Sequence, residues 1–208
     1  MTRLEFLLAN TTAAPVPLVP EITLRQYEDD PFDLWERTGG EVPFWAFPWA
    51  GGQALARYVL DRPETVAGRR VLDIASGSGV VAIAAALAGA RSVTAVDIDP
   101  FAVLAVGVNA EANRAAVTAV LADVLDTDGG PADVVLAGDV CYDPDMTARV
   151  LPFTARAVRR GADVLLGDPG RDFFPRTGVE RLAGYDVPGT GLVESRDVTP
   201  ATVWRRLA

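Results

Sequence analysis

The chain has 208 residues, half of them hydrophobic, and carries a net charge of −9. That is room for one well-cored α/β domain and little for two. All 19 basic residues are Arg, with no Lys and no His. The usual general base and the commonest metal ligand are therefore missing, and an acidic chain without a basic stretch is a poor binder of nucleic acid. The single cysteine, Cys141, excludes an intrachain disulfide and a Cys-cluster zinc site, so no metal is expected.

At the start of the chain, the apolar run over residues 1–8 is broken by Glu5 and is too short for a signal-peptide core. The longest apolar run, residues 80–90, is interrupted by Gly89 and could not span a bilayer. The expectation is a soluble, cytoplasmic protein with no membrane partner. Residues 1–42 read as an N-terminal extension packed on the domain that follows, residues 43–208. Pro15, Pro17 and Pro20 favour an extended path, and Glu28, Asp29 and Asp30 read as a solvated turn. Aromatic residues then crowd together: Trp35, Phe44, Trp45, Phe47 and Trp49. Two readings stay open for them. They anchor the extension on the sheet, or they form a lid and an aromatic wall for a substrate ammonium. Gly51, Gly52 and Gln53 open a helix that should end near Pro63, with Leu55, Val59 and Leu60 on its apolar side.

Residues 70–100 hold a short apolar strand, the run Ser76, Gly77, Ser78, Gly79, an Ala-rich helix, and a second strand that stops at Asp97. This is a βαβ unit with a parallel pair, and open α/β sheets bind ligands at the carboxyl ends of such strands. Glycine permits turn torsions that a Cβ forbids and lets a ligand lie against bare backbone. The run from Gly77 to Ala82 fits G-x-G-x-x-A, and Asp97 follows at close to the spacing of a ribose-binding acid. Asp73, inside the first strand, separates the cofactor classes. A pyrophosphate prefers a helix N-terminus free of carboxylates, whereas an acid suits a cationic ligand. S-adenosylmethionine carries an ammonium and a sulfonium and no phosphate. A nicotinamide or flavin dinucleotide is the second reading, and a structural turn without ligand the third.

Pro100 starts a helix that runs through about Asn113, where Asn109 and Asn113 lie one turn apart and are expected to cap the next connection. A third strand over 118–122 ends at Asp123. That acid is placed to accept a hydrogen bond from an adenine amino group, or else to cap a turn. Residues 132–137, ending at Ala137, form a fourth strand that is continuously apolar, as in a buried parallel sheet. It leads into Gly138, Asp139, Val140, Cys141 and Tyr142. A helix over about 145–160 stops at Gly161, and a fifth strand over 164–167 ends in the loop Asp168, Pro169, Gly170, Arg171. Residues 172–183 read as helical, and two more strands are expected around 185–187 and 201–207. Asp73, Asp97, Asp123 and Asp139 thus end consecutive strands, which share one edge in a parallel sheet.

The D-x-x-S-G-S-G run and the strand ending V-D-I-D-P resemble motifs of the class I methyltransferases. Further, PFWAFPWAGGQALARYVLD, VLDIASGSG, VTAVDIDP, LAGDVCYD and LLGDPGR resemble, in that order, the protein-lysine methyltransferases that modify the β subunit of electron-transfer flavoprotein. The resemblance runs from about Pro43 to Trp204; residues 1–42 contribute little. It implies an α/β, doubly wound, mostly parallel sheet of seven strands, Rossmann-like, with the final strand antiparallel. It implies S-adenosylmethionine as cofactor and the flavoprotein β subunit as protein substrate. The cofactor residues it implies are Trp49, Gly51 and Gln53, then Asp73, Ala75, Ser76, Gly77, Ser78 and Gly79, then Asp97 on the ribose, Ile98 on the adenine, Asp123 and Ala137. Asp139 and Tyr142 correspond to a D-x-x-Y pair near the target lysine. Methyl transfer needs a neutral amine, and a free Lys has a pKa of about 10.4. A carboxylate orients the ammonium but also raises its pKa, so Asp139 is assigned to binding and alignment, and Tyr142 to closing the amine channel or accepting a hydrogen bond. The bland alternative for the pair is a strand-end cap and a packed ring. Some relatives carry names of the nicotinamide N-methylase type, so a small-molecule amine is the alternative substrate.

Overall fold

The computed structural model describes residues 1–38, 42–189 and 197–208. The chain opens with helix α1 (Arg3–Asn10), which starts at a capping box. The Thr2 hydroxyl accepts from the Glu5 N–H, and the Glu5 carboxylate accepts from the Thr2 N–H at 2.7 Å. The Pro-containing stretch then pairs with itself: β1 (Thr12–Val16) and β2 (Val19–Gln26) form an antiparallel hairpin. Asp30 does more than sit in a solvated turn. Its carboxylate accepts from the Phe32 N–H at 3.0 Å and caps α2 (Pro31–Arg37).

Next come α3 (Ala50–Asp61), β3 (Arg70–Ile74), α4 (Val80–Leu87), β4 (Ser92–Asp97), α5 (Pro100–Ala112), β5 (Thr118–Leu121), β6 (Val134–Gly138), α6 (Pro144–Arg159), β7 (Asp163–Asp168), β8 (Val179–Pro188) and β9 (Val198–Arg206). The large sheet has seven strands in the order β5-β4-β3-β6-β7-β9-β8. Strands β3 to β7 are parallel, and β9 runs antiparallel to both its neighbours. The five strands read from the sequence are β3 to β7, in their expected places.

The helix expected over residues 172–183 does not form. Pro175 removes a donor where a helix would need it, and Gly178 takes a left-handed φ of 70°, which ends any helical run there. From Val179 to Pro188 β9 offers a ladder of partners interrupted by one bulge between Arg181 and Ala183, and that pairing decides the conformation.

The apolar strands are covered on both faces. On one face Val71, Val93, Val134, Leu136 and Leu165 pack with α3, α4 and the hairpin residues Val19, Ile22 and Leu24. On the other, Leu72, Ile74, Val135, Val164 and Leu166 pack with Val150, Phe153 and Ala157 of α6. A third cluster joins Leu7, Tyr27, Leu34, Trp45 and Phe47 to Ala102 and Ala105 of α5. Asn113 caps the C-terminal end of α5, its side-chain amide donating to the Asn109 carbonyl at 2.7 Å, whereas Asn109 lies inside the helix and does not cap. The Asn109 side chain accepts from the Arg25 N–H at 2.8 Å and donates to the Ser78 carbonyl at 2.8 Å. Asn113 exchanges two hydrogen bonds with the Thr23 backbone. Both amides therefore hold β2 against α5.

Candidate active site

The glycine turn after β3 is built on three left-handed residues: Ala75 (φ 49°), Gly77 (φ 52°) and Gly79 (φ 82°). At Gly79 a side chain would also be crowded, because a Cβ would stand 3.1 Å from a Val106 methyl. The Gly79 N–H closes the turn on the Ser76 carbonyl at 2.8 Å, and Ser78 is buried within it. Asp97, at the end of β4, pins the turn from the side. One carboxylate oxygen accepts from the Gly77 N–H at 2.9 Å and the other from the Asp99 N–H at 3.0 Å. Ile98 follows, 69% exposed, an apolar face left uncovered beside that acid.

Asp73 is 1% exposed, and its Oδ2 has no hydrogen-bond partner. Burial pushes its carboxyl well above the ordinary range, the Ala82 N–H pulls it back, and the Asp97 charge adds to the rise. The Ser76 hydroxyl is likewise buried without a partner. Buried polar groups are nearly always paired, so the orphaned pair under the turn calls for a ligand with an ammonium and further polar groups. The amino-acid end of S-adenosylmethionine fits that demand.

The other expected cofactor residues are placed less openly. Both Asp123 oxygens are engaged, one by the Leu125 N–H at 3.2 Å and one by Arg149 at 2.8 Å, and that cation holds its carboxyl below the usual range. The turn-cap reading describes it. The methyl of Ala137 lies in the layer against α6. Gln53 is 1% exposed and ties α3 to the hairpin, donating to the Pro48 carbonyl at 2.6 Å and accepting from the Leu18 N–H at 3.1 Å. Trp49 stands at the N-cap of α3, and its indole N–H donates to the Phe44 carbonyl at 2.9 Å.

Three glycines explain how α3 meets the sheet. A Cβ on Gly51 or on Gly167 would fall inside the backbone of the other residue, and one on Gly138 would lie 2.7 Å from Gly52 Cα. The N-terminus of α3 thus rests directly on the ends of β6 and β7. Asp139 sits there with φ 57°, a conformation uncommon for a residue with a side chain. Its Oδ2 accepts from the Gly52 N–H at 2.7 Å, which caps a helix whose own N-cap side chain makes no such bond. Its Oδ1 accepts from Arg171 at 3.0 Å. Burial raises the Asp139 carboxyl, while Arg171 and the amides of Gly52 and Gly51 work against that rise.

A chain of aromatic rings runs outward from Trp49, the N-cap residue of the helix that Asp139 caps. Tyr142, 41% exposed, lies 5.1 Å from the Phe44 ring, and Phe44 lies 5.9 Å from Trp49. The Arg171 guanidinium sits 6.0 Å from the centre of the Trp49 ring. The aromatic segment does not pack as one unit. Trp45, 1% exposed, stacks on Phe101 and anchors. Phe44 lies between Trp49 and Tyr142, Trp49 also packs against the cluster that holds Trp45, and Trp35 stacks on Phe32. Arg171 had no role in the sequence reading, although G-D-P-G-R was visible as a block. The register Gly138 to Gly167 is what brings that block beside Asp139, and the turn that aims it is made by Asp168, whose Oδ1 accepts from the Gly170 and Arg171 N–H groups. A separate recess of about 710 Å³ lies between α1 and α5, lined by Leu4, Val103, Leu104 and Leu121. It lacks the acids and the glycine turn and is not where the chemistry gathers.

The sheet order, the glycine turn and the acids at its carboxyl edge define a class I methyltransferase, whose cofactor is S-adenosylmethionine. Among solved structures, the fold matches a Thermoplasma acidophilum protein with TM-score 0.57 and 23% identity, over 74% of this chain and 89% of that one. It also matches the magnesium protoporphyrin IX methyltransferase of Synechocystis with bound SAH, TM-score 0.56 and 18% identity, over 84% and 93%. Residues 53–141 match the family model described as ribosomal protein L11 methyltransferase (PrmA). The chain is 39% identical over 203 residues to the electron transfer flavoprotein beta subunit lysine methyltransferase of Danio rerio, covering 90% of this chain and 76% of the relative. The Xenopus laevis protein of the same name is 39% identical over 210 residues, covering 96% and 85%. The Homo sapiens protein is 36% identical over 199 residues, covering 90% and 75%. The chain belongs to the electron transfer flavoprotein beta subunit lysine methyltransferase family.

Proposed function

We propose that this protein transfers a methyl group from S-adenosylmethionine to a lysine ε-amine of the electron-transfer flavoprotein β subunit, in the cytoplasm, and that residues 1–42 work as an extension of the catalytic domain formed by residues 43–208. The observation that carries this reading is the identity to relatives of that name across most of both lengths. Bound S-adenosylmethionine supplies an electrophilic methyl carbon on a sulfonium. Asp73, with Ala75 to Gly79, holds the amino-acid end, and Trp49 and Gly51 close on it. Asp97 takes the ribose hydroxyls with lone pairs not used by the Gly77 and Asp99 amides, Ile98 packs on the adenine, and Asp123 and Ala137 border it.

Asp139 aligns the incoming amine at the mouth formed with Phe44, Trp49 and Tyr142, and Tyr142 closes the channel. An ammonium between aromatic faces and a carboxylate is favourably placed. The net charge of −9 favours a basic partner surface over a polyanion. Among the described residues, no helix is long and apolar enough to cross a membrane. The test is to mix the protein and S-adenosylmethionine with recombinant flavoprotein β subunit, nicotinamide and simple amines, and to follow methyl additions by mass spectrometry. Methylated flavoprotein is expected. Methylated small amine with unmodified flavoprotein would put the small-molecule reading first.

A further inference from the structure

A lysine that reaches Asp139 meets a contradiction. The carboxylate attracts the ammonium, but only the neutral amine can react. The amine lone pair must form the N–C bond while the C–S bond breaks with its electron pair to sulfur, and the ammonium proton must already have gone to solvent. An unopposed carboxylate within a few ångströms raises an amine pKa by about one to three units, so Asp139 alone would hold that proton in place.

The structure carries a second charge at this point. The Arg171 guanidinium bonds Asp139 Oδ1 at 3.0 Å, the Arg171 side chain being 28% exposed and that of Asp139 9%. It is backed by the Trp49 ring at 6.0 Å and aimed by the Asp168 turn. Arg stays protonated across the whole physiological range. We infer that Arg171 is a positioning residue that neutralises Asp139, so that the carboxylate aligns the substrate lysine without retaining its proton. This rests on the lysine reading above. The other groups around the pair come from three elements. Asp168 lies at the end of β7; Cys141 lies in the loop after β6; α3 presents the amides of Gly51 and Gly52. The Tyr142 hydroxyl is raised by burial and then by Asp143 and Asp97, and is not among the groups that act on the pair. Asp168, buried with its Oδ2 unpartnered, adds negative charge on the same side, which makes the counter-charge of Arg171 the more necessary.

The test compares the full chain with Arg171→Gln, Arg171→Lys and the double variant Arg171→Gln/Asp139→Asn. Methylation of recombinant flavoprotein β subunit is measured at saturating S-adenosylmethionine over about pH 6.5 to 9.5, where the acidic limb of kcat/KM reports loss of the amine proton. Arg171→Gln is expected to move that limb up by about one to two pH units and to lower the rate near neutrality by about ten- to a hundredfold, with recovery at high pH. Arg171→Lys should keep the limb in place, and the double variant should return it to the parent position. Calorimetry with S-adenosylhomocysteine present gives a reading independent of turnover: Arg171→Gln should bind the flavoprotein tighter by about three- to tenfold, because its carboxylate is uncompensated. A parallel drop in rate at every pH, with equal or weaker binding, overturns the inference while leaving the lysine reading intact. A parent that binds S-adenosylhomocysteine but leaves the flavoprotein unmodified overturns both.

Discussion

Asp97→Ala is the sharpest test of the cofactor site. In the protein alone the substitution removes two acceptor contacts, to the Gly77 N–H at 2.9 Å and the Asp99 N–H at 3.0 Å. Hydrogen bonds to a charged group contribute about 1.5–3 kcal/mol each, toward the lower end where solvent competes. Asp97 is half-buried, so a loss of stability of about 2–3 kcal/mol is expected. When bound, the same carboxylate also receives two ribose hydroxyls. Losing them costs roughly another 3 kcal/mol, or about a hundredfold in affinity. Asp97→Asn keeps one acceptor and loses the charge, so it should fall between Asp97→Ala and the parent. Calorimetry with S-adenosylhomocysteine measures the affinity, and a thermal melt without ligand measures the stability separately. Unchanged affinity in Asp97→Ala, or tighter binding of NAD than of S-adenosylhomocysteine by the parent, would refute the reasoning.

The remaining tests address the acceptor side, the packing and pH. Asp139→Asn keeps the shape and the Gly52 contact and removes the charge; methyl transfer should fall by about two orders of magnitude while cofactor affinity stays within a few-fold, and full turnover would end the role. Gly167→Ala forces α3 off the ends of β6 and β7; overpacking of this kind costs about 1–3 kcal/mol, read as a lower melting temperature, and an unchanged melt would mean the approach is not tight. Asp73 gives the pH dependence. Its folded pKa lies above its unfolded one, so the native state holds the extra proton, and the contribution of this one group to stability is fully present below about pH 4 and is lost as pH rises toward its folded pKa. Asp73→Asn should therefore flatten that slope and raise the melting temperature of the ligand-free protein near neutrality, while weakening cofactor binding at least tenfold. A variant that melts lower and binds normally would show that Asp73 is only structural.

The parallel half of the sheet was legible because its signals are local: apolar runs of strand length, each stopped by Gly or Asp. The glycine turn declared itself by Gly77 and Gly79, which only a tight turn requires. What could not be read depends on contacts distant in sequence. Val179 to Pro188 is a strand because β9 pairs with it, and no periodicity within it says so. Gly51, Gly138 and Gly167 are each ordinary alone; their mutual contact is visible only once α3 lies across β6 and β7. Asp139 could be placed at a strand end, but its engagement with Gly52 and Arg171 depends on three segments meeting. α1 and α2 are short helices whose caps, Thr2 and Asp30, are weak signals in a region rich in turn-forming residues.

The Asn109 amide has one further consequence. A single side chain accepts from the backbone of β2 and donates to the Ser78 carbonyl inside the glycine turn. The hairpin and the cofactor loop are therefore linked equilibria: whatever orders one lowers the cost of ordering the other, and the coupling is equal in both directions. The hairpin lies within residues 1–42, ahead of the glycine turn and the strand-end acids. A change that loosens the hairpin would thus also reach the glycine turn while Asn109 joins them.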